Sequence, residues 1–163
     1  MSANLQVSAK QDVKGLIAAC MNNQGEDAFC QSMTPAHWAT LAPFLQYFTL
    51  AQGQVLISQG ALDRTLYFVE SGSLSVHFQD ADDRVRLAIV GAGAALGEGG
   101  FFSHLPRNAT VQAATDCKLW SLTPLRFGEL SSRQPACALA LAMALGALVS
   151  KRMLSRRKRI AVT

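Results

Sequence analysis

The chain has 163 residues, half of them apolar, which is enough for one folded domain with a sizeable core and excludes a disordered tail. Its formal charge of +4 is a local property: Lys151, Arg152, Arg156, Arg157, Lys158 and Arg159 hold six of the fifteen basic residues, no acid follows Glu129, and the remainder has nine basic against eleven acidic residues, a net of −2. No uninterrupted apolar run reaches the roughly 18 residues that span a bilayer, and Met1-Ser2-Ala3-Asn4 does not open a basic-then-apolar leader, so a cytoplasmic protein without membrane attachment is expected.

Val13, Leu16, Ile17, Cys20 and Met21 follow helical spacing until Asn22-Asn23-Gln24-Gly25 ends the pattern, which predicts a first helix from Asp12 to Met21. Residues 24–33 carry no readable pattern. Thr34 as a cap and Pro35 in the first turn predict a second helix with Trp38, Leu41, Phe44 and Leu45 on its apolar positions, ended or broken at Pro43. Beyond Leu50 the period changes from helical to alternating. Short apolar runs at 55–57, 65–69, 74–78, 85–90, 109–113 and 119–122 are separated by Gly, Asp or Ser clusters, the signature of an antiparallel β-roll or jelly roll. Gln79-Asp80-Ala81-Asp82-Asp83 reads as a solvated hairpin loop. Thr123-Pro124 starts a helix to about Ser132, and Pro135 starts a longer one whose run Cys137 to Val149 is almost wholly apolar for thirteen residues. That surface is more than one side of a helix needs for its own domain, and Leu141, Leu145 and Leu148 form a stripe suited to a dimer contact. The expected organisation is an N-terminal helical segment, residues 1–50, a β-roll, 51–123, and C-terminal helices with a basic tail, 124–163.

Within the roll one stretch carries chemistry. Leu96-Gly97-Glu98-Gly99-Gly100 is followed by Phe101-Phe102 and then by Pro106-Arg107-Asn108-Ala109-Thr110-Val111. Glycines let backbone amides approach a ligand, a guanidinium offers a planar fork to a phosphate, and a carboxylate accepts from a sugar hydroxyl. No acid–base pair, nucleophile elbow or His-Glu-x-x-His motif is present, and His37, His77 and His104 fall in different elements, so catalysis is not expected. Cys20, Cys30, Cys117 and Cys137 have no C-x-x-C spacing, which points to buried reduced thiols rather than a metal or redox centre.

This stretch resembles the phosphate-binding cassette of the cyclic-nucleotide-binding domain family, whose pattern is Gly-Glu, a short helical turn, a loop, then Pro-Arg, a small residue, Ala and a strand. Gly53, Gly60, Ser71-Gly72, Gly91 and Gly93 look like the same family's turn framework, and the resemblance covers roughly residues 35 to 155. It implies a catabolite-activator-like sensor that binds cAMP, ahead of cGMP, through Gly97, Glu98, Gly99, Gly100, Arg107, Asn108 and Ala109, with no metal. It further implies that Val76, Leu87 and Leu96 pack against the base and that Arg152 lies where family members place a C-terminal-helix residue over it. Two departures stand out: Gly99-Gly100 weakens the cassette helix by about 1 kcal/mol each, and Asn108 replaces the usual Ser, Thr or Ala. Transcription factors of the resembled type continue past the C-terminal helix into a helix-turn-helix; with the last residue at Thr163 none is expected here, and neither is sequence-specific DNA binding. The implied partners are a second copy through the long C-terminal helix and an effector protein of unknown identity. A ligand-independent dimerisation and docking scaffold, or a polyanion binder using Arg156-Arg157-Lys158-Arg159, are the competing functions.

Overall fold

Both Thr-Pro pairs start helices in the computed structural model, which describes residues 12–29, 32–79, 81–82 and 85–161, except for the side chains of 85–87 and 156–161. The expectations for Cys30, Asp80 and Asp83, and for the side chains of Leu87 and Arg156 to Arg159, lie outside the described residues. The Thr34 hydroxyl accepts the His37 N–H at 3.2 Å, while His37 Nδ1 accepts the Thr34 N–H, closing a reciprocal cap on α2, Pro35–Leu41. The Thr123 hydroxyl accepts the Arg126 N–H at the start of α4, Pro124–Arg133. Ahead of them α1, Lys14–Asn22, begins where Asp12 Oδ1 accepts the Lys14 N–H. Pro43 sits in a tight turn, Ala42–Phe44, that ends α2.

Among the described residues eight strands form two antiparallel sheets of four. The first has the order β1 (Gln46–Leu50), β8 (Cys117–Leu122), β3 (Leu66–Ser71), β6 (Ala95–Leu96); the second has β2 (Val55–Ile57), β7 (Thr110–Ala113), β4 (Leu74–Gln79), β5 (Val85–Val90). The architecture is the expected β-roll with flanking helices. Its first strand lies ahead of residue 51, because Gln46 to Leu50 pair with Ser121 to Cys117. β1 escaped the sequence reading because Gln46, Tyr47 and Thr49 blur the alternation directly after a helical pattern. Two-residue β6 is too short to show a period at all.

Within the first sheet the central strands β3 and β8 place buried residues on both faces, so their apolar residues do not simply alternate. Leu66, Phe68, Trp120 and Leu122 point to the helices, where they join Leu16, Trp38, Leu41 and Leu130; Val69, Leu119 and Cys117 point between the sheets and meet Leu74, Val76, Leu96 and Val111. Burial raises the pKa of the Cys117 and Cys137 thiols, which keeps them in the unreactive protonated form. The segment with no sequence pattern has a structural role: Ala28 bridges to Ala94, and Phe29 is buried against Phe68 and the edge of Trp38.

The last helix, α5, runs from Pro135 to Ala161. Leu141, Leu145 and Leu148, expected to face a partner, are each fully buried in the chain's own core together with Cys137, Ala138 and Ala144. That expectation is corrected: the i, i+4, i+7 stripe is the intramolecular face of α5, because the first sheet and α1, α2 and α4 supply the apolar wall it needs. The opposite face leaves Leu139 64%, Met143 67% and Met153 57% exposed. Counted as a helix rather than as an apolar run, Pro135–Ser155 has a mean hydropathy of 1.6 and is long and apolar enough to cross a membrane by length and composition, a test that core helices also pass.

Candidate functional site

β6 delivers the chain to Gly97, whose φ of +86° turns it into α3, Glu98–Ser103; His104, with φ of +59°, ends the helix by donating its N–H to the Gly100 carbonyl. The Ser103 hydroxyl donates back to the Gly99 carbonyl and accepts the Leu105 N–H, which shapes the loop that leads to Arg107. The Arg107 backbone is pinned to the β2–β3 connection: its N–H donates to Ala61 and its carbonyl accepts from Gly60. Arg107 is therefore held from both sides before its side chain makes any contact.

That side chain is buried, with 5% of the residue exposed. Nη1 donates to the Gly97 carbonyl at 2.9 Å, Nη2 to the Thr65 carbonyl at 2.6 Å and to Asp63 Oδ1 at 2.7 Å, and Nε to Asp63 Oδ2 at 3.1 Å. A guanidinium has five N–H groups, so this network engages four and leaves one on Nη1. The bidentate hydrogen bond from Arg107 holds the Asp63 carboxyl below its ordinary value, against the opposing effect of partial burial. The guanidinium also explains two glycines of the cassette. A Cβ on Gly97 would stand 2.7 Å from Arg107 Nη1, and one on Gly100 would stand 3.1 Å from it, whereas Gly99 faces open space.

Glu98, the other polar group expected to bind, is engaged by α5. Arg152 Nη1 donates to Glu98 Oε1 at 2.6 Å, Nε to Asp27 Oδ1 at 3.1 Å and Nη2 to the Ala95 carbonyl at 2.8 Å. Burial disfavours the Arg152 charge, but the two carboxylates outweigh it and raise its pKa, so it is a permanent cation. Arg152, expected over a base, has its head on Glu98 and Asp27.

The structure brings Gly97, Glu98, Gly99, Gly100, Arg107 and Arg152 together around α3. Ala109 is buried and Asn108 exposed beside it. Val76 and Leu96 are 8% and 6% exposed and lie in the core between the sheets. Leu87 stands in β5 opposite His77, its side chain outside the described residues. Asp63, Asp27 and Arg64, which donates from Nη2 to the Phe101 carbonyl, were missed. Asp63 and Arg64 fall in a polar turn, and Asp27 in the segment without a pattern, so nothing periodic marked them. Among the described residues no group of three or more His, Cys, Asp or Glu is placed to hold a metal.

Residues 47–134, more than half of the chain, match the family model of the cyclic nucleotide-binding domain. The chain is 29% identical over 127 residues to a cAMP-dependent protein kinase regulatory subunit of Eremothecium gossypii, covering 78% of this chain and 26% of that protein. It is 33% identical over 108 residues to a cyclic nucleotide-gated potassium channel of Mesorhizobium japonicum, covering 66% of this chain and 29% of that one. The chain thus spans less than a third of either relative. Among solved structures, a cyclic nucleotide-binding domain from Methylobacillus flagellatus superposes with a TM-score of 0.81 at 18% identity over 96% of this chain and 86% of that one. The Thermus thermophilus catabolite activator protein superposes at 0.71 with 24% identity over 82% and 62%. At these identities the superpositions show the fold; the matched family model shows that the chain belongs to the cyclic nucleotide-binding domain family.

Proposed function

We propose that the chain is a non-enzymatic sensor of a cyclic mononucleotide, cAMP ahead of cGMP, which acts in the cytoplasm by moving α5 and so changing what a partner protein meets. The observation that carries this reading is the convergence of Glu98 and Arg107 on one turn of helix, with Gly97 and Gly100 bare so that the arginine fits beneath it. Arg107 suits the phosphate and Glu98 the ribose hydroxyl; Val76 and Leu96, which are packed in the core between the sheets, present no open surface to a base. The exposed face of α5 supports a second copy as partner. Ala136, Leu139, Met143, Gly146, Ser150 and Met153 are all exposed and are spaced alternately by three and four residues, the spacing of a coiled-coil seam, with Leu139, Met143 and Met153 as its large apolar members.

Calorimetric titration with cAMP, cGMP and a cyclic dinucleotide tests the ligand. Arg107→Ala is expected to cost on the order of 2 to 5 kcal/mol of binding, and Glu98→Gln about 1 to 2 kcal/mol, since an amide oxygen still accepts from a hydroxyl. Equal affinity in wild type and Arg107→Ala overturns the assignment. A second reading, a ligand-independent scaffold, has one specific observation in its favour: Glu98 and Arg107 already have ionic partners inside the chain. No heat with any of the three ligands, with the dimer intact, selects it.

A further inference from the structure

Along β4 the residues that face between the sheets open progressively to solvent: Leu74 is fully buried, Val76 is 8% exposed and Phe78 36%. Strand alternation puts all three on one face. Across the ladder to β7, Val76 pairs with Val111 and His77 with Thr110, so the same register carried one step on sets Phe78 beside Ala109, two residues past Arg107. Arg107, Ala109 and Val111 are buried in alternation with exposed Asn108 and half-buried Thr110, which places them on the inner side too. The end of β4 is also tied to the frame that holds the arginine. The Gln59 side chain exchanges hydrogen bonds with the Gln79 backbone, and the next residue, Gly60, donates its N–H to the Arg107 carbonyl. Phe78 is therefore an open aromatic ring on the inner wall of the roll, at the end where the cassette lies.

The polar side chains of the same two strands turn the other way. Ser75 and His77 hydrogen-bond to each other at 2.9 Å, the Thr110 hydroxyl accepts the Gln59 N–H, and the Gln112 amide donates to the Gly53 carbonyl. What β4 and β7 present inward is Leu74, Val76, Phe78, Ala109, Val111 and Ala113, with no side-chain donor or acceptor among them. We propose that Phe78 is a specificity-determining residue: its ring stacks on the base of the bound nucleotide and selects by the area of the π-face, purine over pyrimidine, without reading the groups on the base edge. This rests on the sensor reading of the same site. Val76 and Leu96, closed within the core, do not take this part. Stacking tolerates the identity of the base because every base has a π-face, so a preference for cAMP over cGMP arises at other contacts.

Calorimetric titration of the full chain with cAMP, cGMP and the pyrimidine analogue cUMP tests this in wild type, Phe78→Ala, Phe78→Leu and Phe78→Trp, with Arg107→Ala as the control for the phosphate. Circular dichroism and melting curves report the fold of each. Wild type should bind both purine nucleotides more tightly than cUMP. Phe78→Ala is expected to bind cAMP and cGMP about five- to a hundredfold more weakly, the range for a lost base stack, with their ratio unchanged and a smaller loss for cUMP. Phe78→Trp should restore wild-type affinity, and Phe78→Leu, which keeps apolar bulk without a π-face, should not. If Phe78→Ala binds cAMP as wild type does while Arg107→Ala loses it, the stacking is overturned and the sensor reading stands. Equal loss for cUMP and cAMP, or full rescue by Phe78→Leu, shows a ring that only shapes the roll and also overturns the proposal. So does a wild type that binds cUMP as tightly as cAMP, and so does a changed ratio of cAMP to cGMP, which would show reading of the base edge. If wild type binds none of the three, the sensor reading fails and the proposal fails with it.

Discussion

Gly97, Gly99 and Gly100 stand within four residues of one another, yet they have different reasons to be glycine, and substitution separates them. Gly97 combines a positive φ with a Cβ position crowded by Arg107 and the Thr65 carbonyl, so Gly97→Ala should destabilise the fold by more than about 1 kcal/mol. Gly100→Ala presses on the same guanidinium more mildly. Gly99→Ala meets nothing within 4 Å in a helical position and should stabilise by about 0.5 to 1 kcal/mol, read as an upward shift in melting temperature. The sequence shows three glycines as one helix-weakening run; only the placement of Arg107 divides them, and that depends on contacts from residues 60 to 65 that no local pattern foretells. Asp63 extends the argument to pH. Its carboxyl is held below the usual range, mainly by Arg107, so its contribution to stability is complete above the ordinary carboxylate value and is lost as pH falls through the lowered one. Asp63→Asn should therefore be less stable than wild type near neutrality, and the gap should close as pH falls below the ordinary carboxylate value of about 4 in thermal unfolding curves. A gap that persists unchanged to the acid end would show that Asp63 contributes through shape alone.

At the scale of elements, α5 is the case in which the sequence names the right helix and the wrong face. Its thirteen-residue apolar run is apolar all round, so a stripe at 141, 145 and 148 and a stripe at 139, 143, 146, 150 and 153 are both present in the letters. What decides between them is the first sheet, whose helix-facing residues Leu66, Phe68, Trp120 and Leu122 take the first stripe into a shared core. Leu145→Glu should accordingly unfold the domain, since it buries an unpaired charge in packed apolar surroundings. Met143→Glu should leave the circular dichroism of the fold intact and abolish the dimerisation proposed for the exposed face of α5, read in light scattering as a dimeric wild type against a monomeric variant. A folded dimer in both variants would place the interface elsewhere. Strands β2 to β5, β7 and β8 were legible because Gly, Asp and Ser clusters mark their ends, and so were helices that begin at Thr-Pro; β1 and β6 were not. Asp27 and the segment around it were not, since Ala28 and Phe29 owe their positions to Ala94, Phe68 and Trp38, far away in sequence.

For the molecule as a whole, the site is a meeting place rather than a local motif: Glu98 and Arg107 come from the cassette, Asp63 from the connection before β3, Asp27 from the N-terminal segment and Arg152 from α5. The residues proposed to contact a ligand could be read from a short stretch, while the residues that hold them are scattered over 125 positions. Strand β8 gives this dispersion a consequence in time. It lies between β1 and β3, pairing Gln46 with Ser121 and Leu66 with Leu122, so the first sheet has no middle until the last strand of the roll has been synthesised. Contacts of such long sequence separation close slowly. While a ribosome is still adding Cys117 to Leu122, β1 and β3 present open edges with apolar side chains, the form of nascent chain most prone to pair with a neighbour. Production of this protein should thus depend on the pace of translation across one six-residue strand, well before Arg152 has left the ribosome to reach Glu98 and Asp27.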